Sequence, residues 1–226
     1  MLQKINVKGV LFMELTAAAL WLNTVFAGFD QSVTQAVHSL YEWAGPVLSP
    51  IMEFISLLGK GGIALIILAL VLMFFQPTRR FGTAMAIGLA LGALCTNVFI
   101  KVAVARPRPY ADEAGFFYPL WQMMGMHMES DMSFPSGHTT AAFASMVPVF
   151  IMGNKKSSWL ALLFAFMMGI SRIYLVVHYP SDVLGGLIIG TIAGILAVLI
   201  AKKIPEKWYE MHFIKKKDEK GGKHAA

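Results

Sequence analysis

The sequence predicts an all-α, polytopic membrane protein: six transmembrane helices, with short interfacial helices in the loops of the extracytoplasmic side. Three observations predict it. Of 226 residues, 57% are hydrophobic and only 14% charged, where a soluble domain carries roughly 25% charged residues. Such a chain cannot cover itself with polar side chains, so most of its surroundings must be lipid. Apolar runs then recur six times; four have the length that crosses ~30 Å of hydrocarbon, and the second and fourth are short and need flanking residues to do so. Finally, the basic residues sort to one side of the resulting topology.

The runs lie near residues 9–27, 62–76, 81–104, 137–153, 158–177 and 183–201. Polar or turn-forming separators divide them, such as Gln76-Pro77-Thr78-Arg79-Arg80 and His178-Tyr179-Pro180-Ser181-Asp182. The first run follows Lys4 and Lys8 and reaches Val25-Phe26-Ala27, which resembles a signal peptide with its cleavage site. Glu14 inside the run argues against that, and the run is read as a span. With the N-terminus in the cytoplasm, 14 of the 19 basic residues fall on the cytoplasmic side, eight of them lysines after residue 201. This is the positive-inside pattern. It predicts a multi-pass plasma-membrane protein with both termini cytoplasmic, a membrane body over 1–201 and a basic tail over 202–226. The net charge of +6 therefore marks orientation, not a nucleic-acid partner, and nothing calls for an obligatory protein partner. A single cysteine, Cys95, excludes an intrachain disulfide and a thiolate metal cluster.

Two outer segments are long. In residues 29–60, Asp30 is a good N-cap, and Val33, Val37, Leu40 and Tyr41 follow at helical spacing, the pattern of an interfacial amphipathic helix. Residues 109–135 carry Phe116, Phe117, Tyr118, Leu120, Trp121, Met123 and Met124, a headgroup-layer anchor or a lid lining a lipid's way in. Trp43, Trp121, Trp159 and Trp208 fall near the expected interfaces.

The five basic residues outside the cytoplasmic set are Lys60, Lys101, Arg106, Arg108 and Arg172. Four of them sit in three constellations. Lys101-x6-Arg108-Pro109 places an ammonium inside an apolar run, where a cation is expensive and usually functional. Pro107 and Pro109 end the helix near residue 105. Pro135-Ser136-Gly137-His138 directly precedes the fourth run. Ser136 is a plausible cap, and a helix N-terminus presents free N–H groups and partial positive charge to an anion. Ser171-Arg172-x5-His178-x3-Asp182 puts His178 and Asp182 four apart, close enough to touch on one helical face. The six-residue step from Arg172 to His178 requires the helix to break before Pro180. Topology then brings all three constellations to one membrane face, which no single motif requires.

Together these motifs resemble the three-part signature of the type-2 phosphatidic acid phosphatase family, complete at every motif position across residues 101–182. The resemblance implies a metal-independent lipid phosphatase, with no cofactor and a membrane lipid phosphate as substrate. It implies His178 as nucleophile forming a phosphohistidine, Asp182 orienting it, and His138 as the acid that protonates the leaving group. Lys101, Arg108, Arg172, Ser136 and Gly137 would cradle the phosphoryl oxygens, with Arg106 just outside the pattern. Phosphatidylglycerophosphate is the substrate it favours, with undecaprenyl diphosphate as the alternative.

Other classes fit less well. A transporter with an anion path predicts charges spread along a pore, whereas these gather beside two histidines. A zinc hydrolase built on His138, His178 and Asp182 needs three or four converging ligands, and the surrounding cations oppose a metal. A soluble vanadate-binding haloperoxidase shares the motifs but not this composition. His38, His127, His212 and His224 match no motif position.

Overall fold

The computed structural model describes residues 15–211, and every regular element among them is helical. The helices are α1 (Ala17–Val25), α2 (Ala27–Gly59), α3 (Ile63–Phe74), α4 (Arg79–Ala93), α5 (Lys101–Val104), α6 (Phe117–Met123), α7 (Gly137–Met152), α8 (Trp159–Tyr174), α9 (Pro180–Ala201) and α10 (Glu206–Glu210). A π-helical segment, Leu94–Ile100, joins α4 to α5. Three helical stretches are long and apolar enough to cross a membrane: Ala27–Phe74, Gln76–Ala111 and Pro180–Ala201. The apolar helices α7 and α8 are shorter. Of the run expected near 9–27, residues 9–14 lie outside the described residues, as do Lys4, Lys8 and the lysines from 215 onward; the described part of the run forms α1.

Helices α4, α7 and α9 pack against one another at the centre, and glycine lets them do so. Gly186, Gly190 and Gly194 repeat every fourth residue of α9, so they share one face. A Cβ built on Gly190 would stand 2.6 Å from the Thr140 carbonyl oxygen, and one on Gly88 of α4 would collide with the Ala144 carbonyl. The opposite face of α9 exposes Leu184, Ile188, Ile192, Ile195 and Leu199. Small residues inside and branched apolar residues outside is the arrangement of a helix whose solvent is lipid. Leu65, Met85, Leu89, Phe143, Met146 and Met168 fill the spaces between α3, α4, α7 and α8.

Helix α2 differs from the expected interfacial helix in two respects. It starts at Ala27, so Asp30 is not its cap but a buried residue of its first turn. Its inner face carries Thr34 and His38, whereas Leu40 is exposed. Asp30 meets Ser181 at the start of α9, and Gly59 meets His138 at the start of α7. Those two helix starts adjoin, since Ser136 N donates to Asp182 O at 3.0 Å. A straight helix from 30 to 59 would span ~44 Å, so α2 must bend back. It does so at Ala44 (φ −144°, ψ 25°), just before Pro46, and it arches over this end of the bundle.

The other end is closed by Arg79. This expected surface cation is buried, donating to the carbonyls of Met73 at 2.8 Å, of Phe74 at 3.2 Å and of Trp208, Tyr209 and Met211. It satisfies the carbonyls that end α3 and docks α10, just past residue 201, onto the body. Trp121 also departs from expectation. It is buried, stacks on Tyr110 with ring centroids 4.6 Å apart, and sits with Met52, Leu120, Met124 and Tyr174 in a second core beneath α2.

Gly88→Ala should lower the unfolding midpoint in detergent by several degrees, because a backbone carbonyl has to move. Gly28→Ala, with nothing within 4 Å of its Cβ, should leave the midpoint unchanged or raise it, Ala being the better helix former. Thermal unfolding of the two variants checks the ranking.

Candidate active site

Each motif is aimed by a local device at the end of its helix. Lys101 N–H bonds back to Thr96 O, five residues earlier, the signature of a π turn. With 4.4 residues per turn, Thr96 and Lys101 share a face. Both are buried while Val98, Phe99 and Val102 are exposed. The wide turn therefore points the ammonium inward rather than into lipid. Helix α5 then ends at Ala105, in the left-handed region at φ 47°, as expected ahead of Pro107, and the chain turns to present Arg106 and Arg108.

The step from Arg172 to His178 is made by a Schellman motif. Val177 N donates to Arg172 O at 3.2 Å and Val176 N to Ile173 O at 2.9 Å. These are the 6→1 and 5→2 bonds that close a helix. The residue that must be left-handed is Val176, at φ 53°, where glycine is usual and a β-branched side chain is strained by roughly 1–2 kcal/mol. Strain of this kind persists only where the surroundings enforce it, and Val176 is buried. His178 thus lies in the turn between α8 and α9, not on a helical face with Asp182 as the spacing implied. The two meet because Asp182 sits in the first turn of α9 and reaches back past the helix start. Its Oδ2 accepts from Tyr179 N at 3.0 Å and from Ser133 Oγ at 2.5 Å, and lies 3.4 Å from His178 Nδ1.

Arg108 completes the orientation of His178. Its Nη1 lies 2.9 Å from His178 Nε2 and donates to Val177 O at 2.8 Å. A guanidinium has no lone pair to offer, so Nε2 is the acceptor and the ring proton resides on Nδ1, towards Asp182. Burial, followed by the charges of Arg108, Arg172 and Lys101, holds the His178 pKa well below its ordinary value. The imidazole is neutral at pH 7 with its Nε2 lone pair in place.

The motifs converge as expected. A cavity of about 310 Å³ is lined by Lys101, Arg108, Gly137, His138 and His178. Ser136 stands apart from its lining: its hydroxyl caps α7, accepting from Thr139 Oγ1 at 2.9 Å and Thr139 N at 3.4 Å. Arg172 opens onto a neighbouring cavity of about 510 Å³, shared with His138, Glu53, Ser56, Lys60 and His127. Its Nε is buried and meets no partner. The first cavity extends past Gly62 to Ile66, Leu89 and Ala93, an apolar wall from α3 and α4. The aromatic segment Phe116–Met124, expected to line a lipid's way in, lies elsewhere. Phe116 and Phe117 border a separate hollow beside Tyr179, and Leu120, Trp121 and Met124 are packed in the second core.

Three carboxylates, Asp30, Glu129 and Asp131, had no motif to mark them, and Arg106 fills no motif position. Asp131 pairs with both Lys101 and Arg108, and Glu129 with Arg172, so two carboxylates of the 109–135 segment sit on the cations of the cradle. Burial alone would raise the Asp131 carboxyl, but the bonds and charges of Lys101 and Arg108 outweigh it and hold it below the usual carboxylate range. Arg106 is wholly buried between Asp182, at 2.6 Å, and Asp30, at 2.9 Å. Among the described residues no three His, Cys, Asp or Glu side chains group so as to hold a metal ion; the groups that converge are three cations and the two carboxylates paired with them.

Comparison with known proteins agrees with this geometry. The sequence profile described as the PAP2 superfamily matches residues 77–206. Phosphatidylglycerophosphatase B of Bacillus subtilis is 31% identical over 210 residues, 87% of this chain and 93% of that one. Undecaprenyl-diphosphatase BcrC of the same organism is 33% identical over 168 residues, 74% and 81% of the two chains. The crystal structure of a transmembrane PAP2 type phosphatidylglycerolphosphate phosphatase from Bacillus subtilis superposes with a TM-score of 0.62 at 26% identity, covering 83% of this chain and 92% of that one. With the profile spanning more than half its length and every motif gathered at one end of an all-helical bundle, the chain belongs to the PAP2 superfamily.

Proposed function

We propose that this chain is a membrane lipid phosphatase that hydrolyses a phosphomonoester, phosphatidylglycerophosphate to phosphatidylglycerol, through a phosphohistidine. The observation that carries the reading is His178 Nε2. It is a neutral, unprotonated nitrogen held by Arg108 at the wall of a cavity that also presents Lys101 and His138, with Asp131 and Glu129 paired to the cations. Undecaprenyl diphosphate is the second reading, because the relative acting on it is as similar as the phosphatidylglycerophosphatase.

In the first step Arg108 shifts its Nη1 hydrogen bond from His178 Nε2 to a phosphoryl oxygen, the freed Nε2 lone pair attacks phosphorus, and the P–O bond to the lipid breaks. His138 gives its proton to the leaving oxygen, and the Nδ1–H of His178 is held by Asp182 as the ring gains positive character. In the second step water attacks the phosphohistidine, His138 takes a proton from that water, and the N–P bond breaks to release phosphate. Lys101, Arg108, Arg172 and the N–H groups at Gly137 neutralise the phosphoryl oxygens, with Ser136 holding the α7 terminus in place. Phosphoryl transfer asks for positioning and charge neutralisation above all, and ammonium and guanidinium groups supply both without a metal. The lipid's tail lies along Ile66, Leu89 and Ala93 while its headgroup enters sideways. The body, residues 1–201, spans the plasma membrane six times with both termini and the basic 202–226 tail in the cytoplasm, and the site faces outward.

Purified His178→Ala should release no phosphate from any lipid, and His138→Ala should be slowed at the step that expels the alcohol. The wild type should keep its activity after exhaustive chelation. Turnover by folded His178→Ala, or loss in chelator restored by zinc or magnesium, would contradict the mechanism. A panel of phosphatidylglycerophosphate and undecaprenyl diphosphate separates the two substrates by kcat/KM.

Asp131→Asn should lower the inhibition constant of inorganic phosphate about tenfold, since the anion no longer competes with a carboxylate for Lys101 and Arg108. Because the Asp131 pKa is depressed, it stays ionised as pH falls towards 5, so acid should not reproduce the effect of the substitution. An unchanged inhibition constant would show that the carboxylate does not compete.

Single-cysteine variants at Ala111 and Ser157, in a Cys95→Ala background, test the orientation. In intact cells an impermeant thiol reagent should label position 111 and not 157; the reverse pattern would invert the topology.

A further inference from the structure

The proposed mechanism uses Asp182 but leaves unused the two charged residues buried with it, Arg106 and Asp30. Arg106 is 0% exposed, Asp182 0% and Asp30 1%. Every nitrogen of Arg106 donates. Its Nε bonds Asn23 Oδ1 at 2.8 Å, Nη1 bonds Asp182 Oδ1 at 2.6 Å and Ser181 Oγ at 2.7 Å, and Nη2 bonds Asp30 Oδ2 at 2.9 Å. The guanidinium carbon lies 3.8 Å from the centre of the Tyr179 ring. Asp30 in turn accepts from Ser181 N and from Ser181 Oγ, both at 2.8 Å. Ser181 Oγ accepts a hydrogen bond from Arg106 Nη1 and donates its own to Asp30 Oδ2. Every neighbour of Asp30 is therefore a donor, an arrangement that suits a carboxylate.

The charges of this cluster decide what Asp182 can offer His178. A buried guanidinium bonded to Asp182 would, by itself, cancel the carboxylate's charge. His178 would then face a neutral pair as its ring becomes positive. A second carboxylate on the same guanidinium changes the sum: two anions and one cation leave one negative charge. We infer that Asp30 is a positioning residue for the phosphatase reaction, leaving Asp182 a net charge for the His178 imidazole by taking up that of Arg106. The inference rests on reading His178 as the nucleophile. Asp30 lies on α2, outside the residues 77–206 that carry the family profile, so α2 contributes to the chemistry as well as covering it.

A purely structural role for Asp30, holding the turn before α9, predicts loss of folding or of substrate binding. An electrostatic role predicts loss confined to states in which His178 carries charge. Asp30→Asn keeps the shape and removes the charge. It should lower kcat on the order of 30-fold, less than the roughly 10⁴-fold cost of neutralising a His-orienting carboxylate itself, with KM within about twofold. Vanadate, which imitates the pentacoordinate phosphorus on His178, should inhibit more weakly by the same factor, whereas inhibition by inorganic phosphate stays unchanged. Asp30 and Arg106 border the hollow of about 250 Å³ beside Phe117 and Tyr179, which has room for a small ion. Formate should therefore restore activity to Asp30→Ala, and formamide, equal in size but neutral, should not. Equal rescue by both, a rise in KM with kcat intact, or wild-type kcat in Asp30→Asn would each overturn the inference. If neither variant folds, Asp30→Glu decides: it keeps the charge and should stay within about threefold of wild-type kcat, and a folded but inactive Asp30→Glu sinks the idea. Turnover by folded His178→Ala would instead remove the mechanism beneath it, so the two failures are told apart.

Discussion

A guanidinium in a dry interior must be surrounded by acceptors, and Arg106 meets that demand by drawing three parts of the chain together. Asn23 and Asp30 come from the N-terminal helices, Ser181 and Asp182 from the start of α9, and Tyr179 from the turn before it. Removing one partner of such a buried pair is costly because the other charge is stranded. The arching helix α2 is thereby tied to the helix start that carries Asp182, and the turn bearing His178 is held between them. The strained Val176 and the Schellman closure of α8 hold the same turn from its other side. Its position is determined twice over.

The sequence made the convergence of the motifs legible, because each motif sits at a helix end and alternating spans bring those ends to one face. Fixed spacing is what made Lys101, Arg108, His138, Arg172, His178 and Asp182 visible. Asp30, Glu129 and Asp131 had no such marker, being acids in long segments between spans whose partners are 23 to 151 residues away. Asp30 was legible as a capping residue, since local propensity reads only the next few positions. Its burial depends on an arginine contributed by another helix. The one available signal was stoichiometric: five outer cations in an apolar chain need counter-ions, and the acids of 29–60 and 109–135 are the nearest supply.

Other departures from the sequence reading share a cause. A helical pattern assumes 3.6 residues per turn, and the π segment at Leu94–Ile100 breaks that assumption where it matters for Lys101. Aromatic content marks an interface only when the rings have nothing better to cover. Here Trp121 and Tyr110 find each other and the underside of α2, and the apolar side of the reaction cavity falls instead to Ile66, Leu89 and Ala93 on α3 and α4. The glycines at positions 88 and 190 belong to the same argument. By letting α4, α7 and α9 approach at backbone distance, they set the start of α7 beside that of α9, and so His138 near His178.

The carboxylates of Glu129 and Asp131 resolve a difficulty that the cradle creates. Three cations held together at the edge of a membrane repel one another and lose hydration, a cost that would fall on the fold. Paired with Asp131, Lys101 and Arg108 have a counter-ion in their inward positions. A lipid phosphate must then displace anions already in place, which lowers the net gain from binding the ground state. The same displacement works in favour of release: inorganic phosphate leaves a cradle whose internal carboxylates return as it departs. Tight neutralisation is needed most when charge is redistributed over the transferring phosphoryl group. A site with its own replaceable counter-ions can reserve its strongest electrostatic stabilisation for that moment.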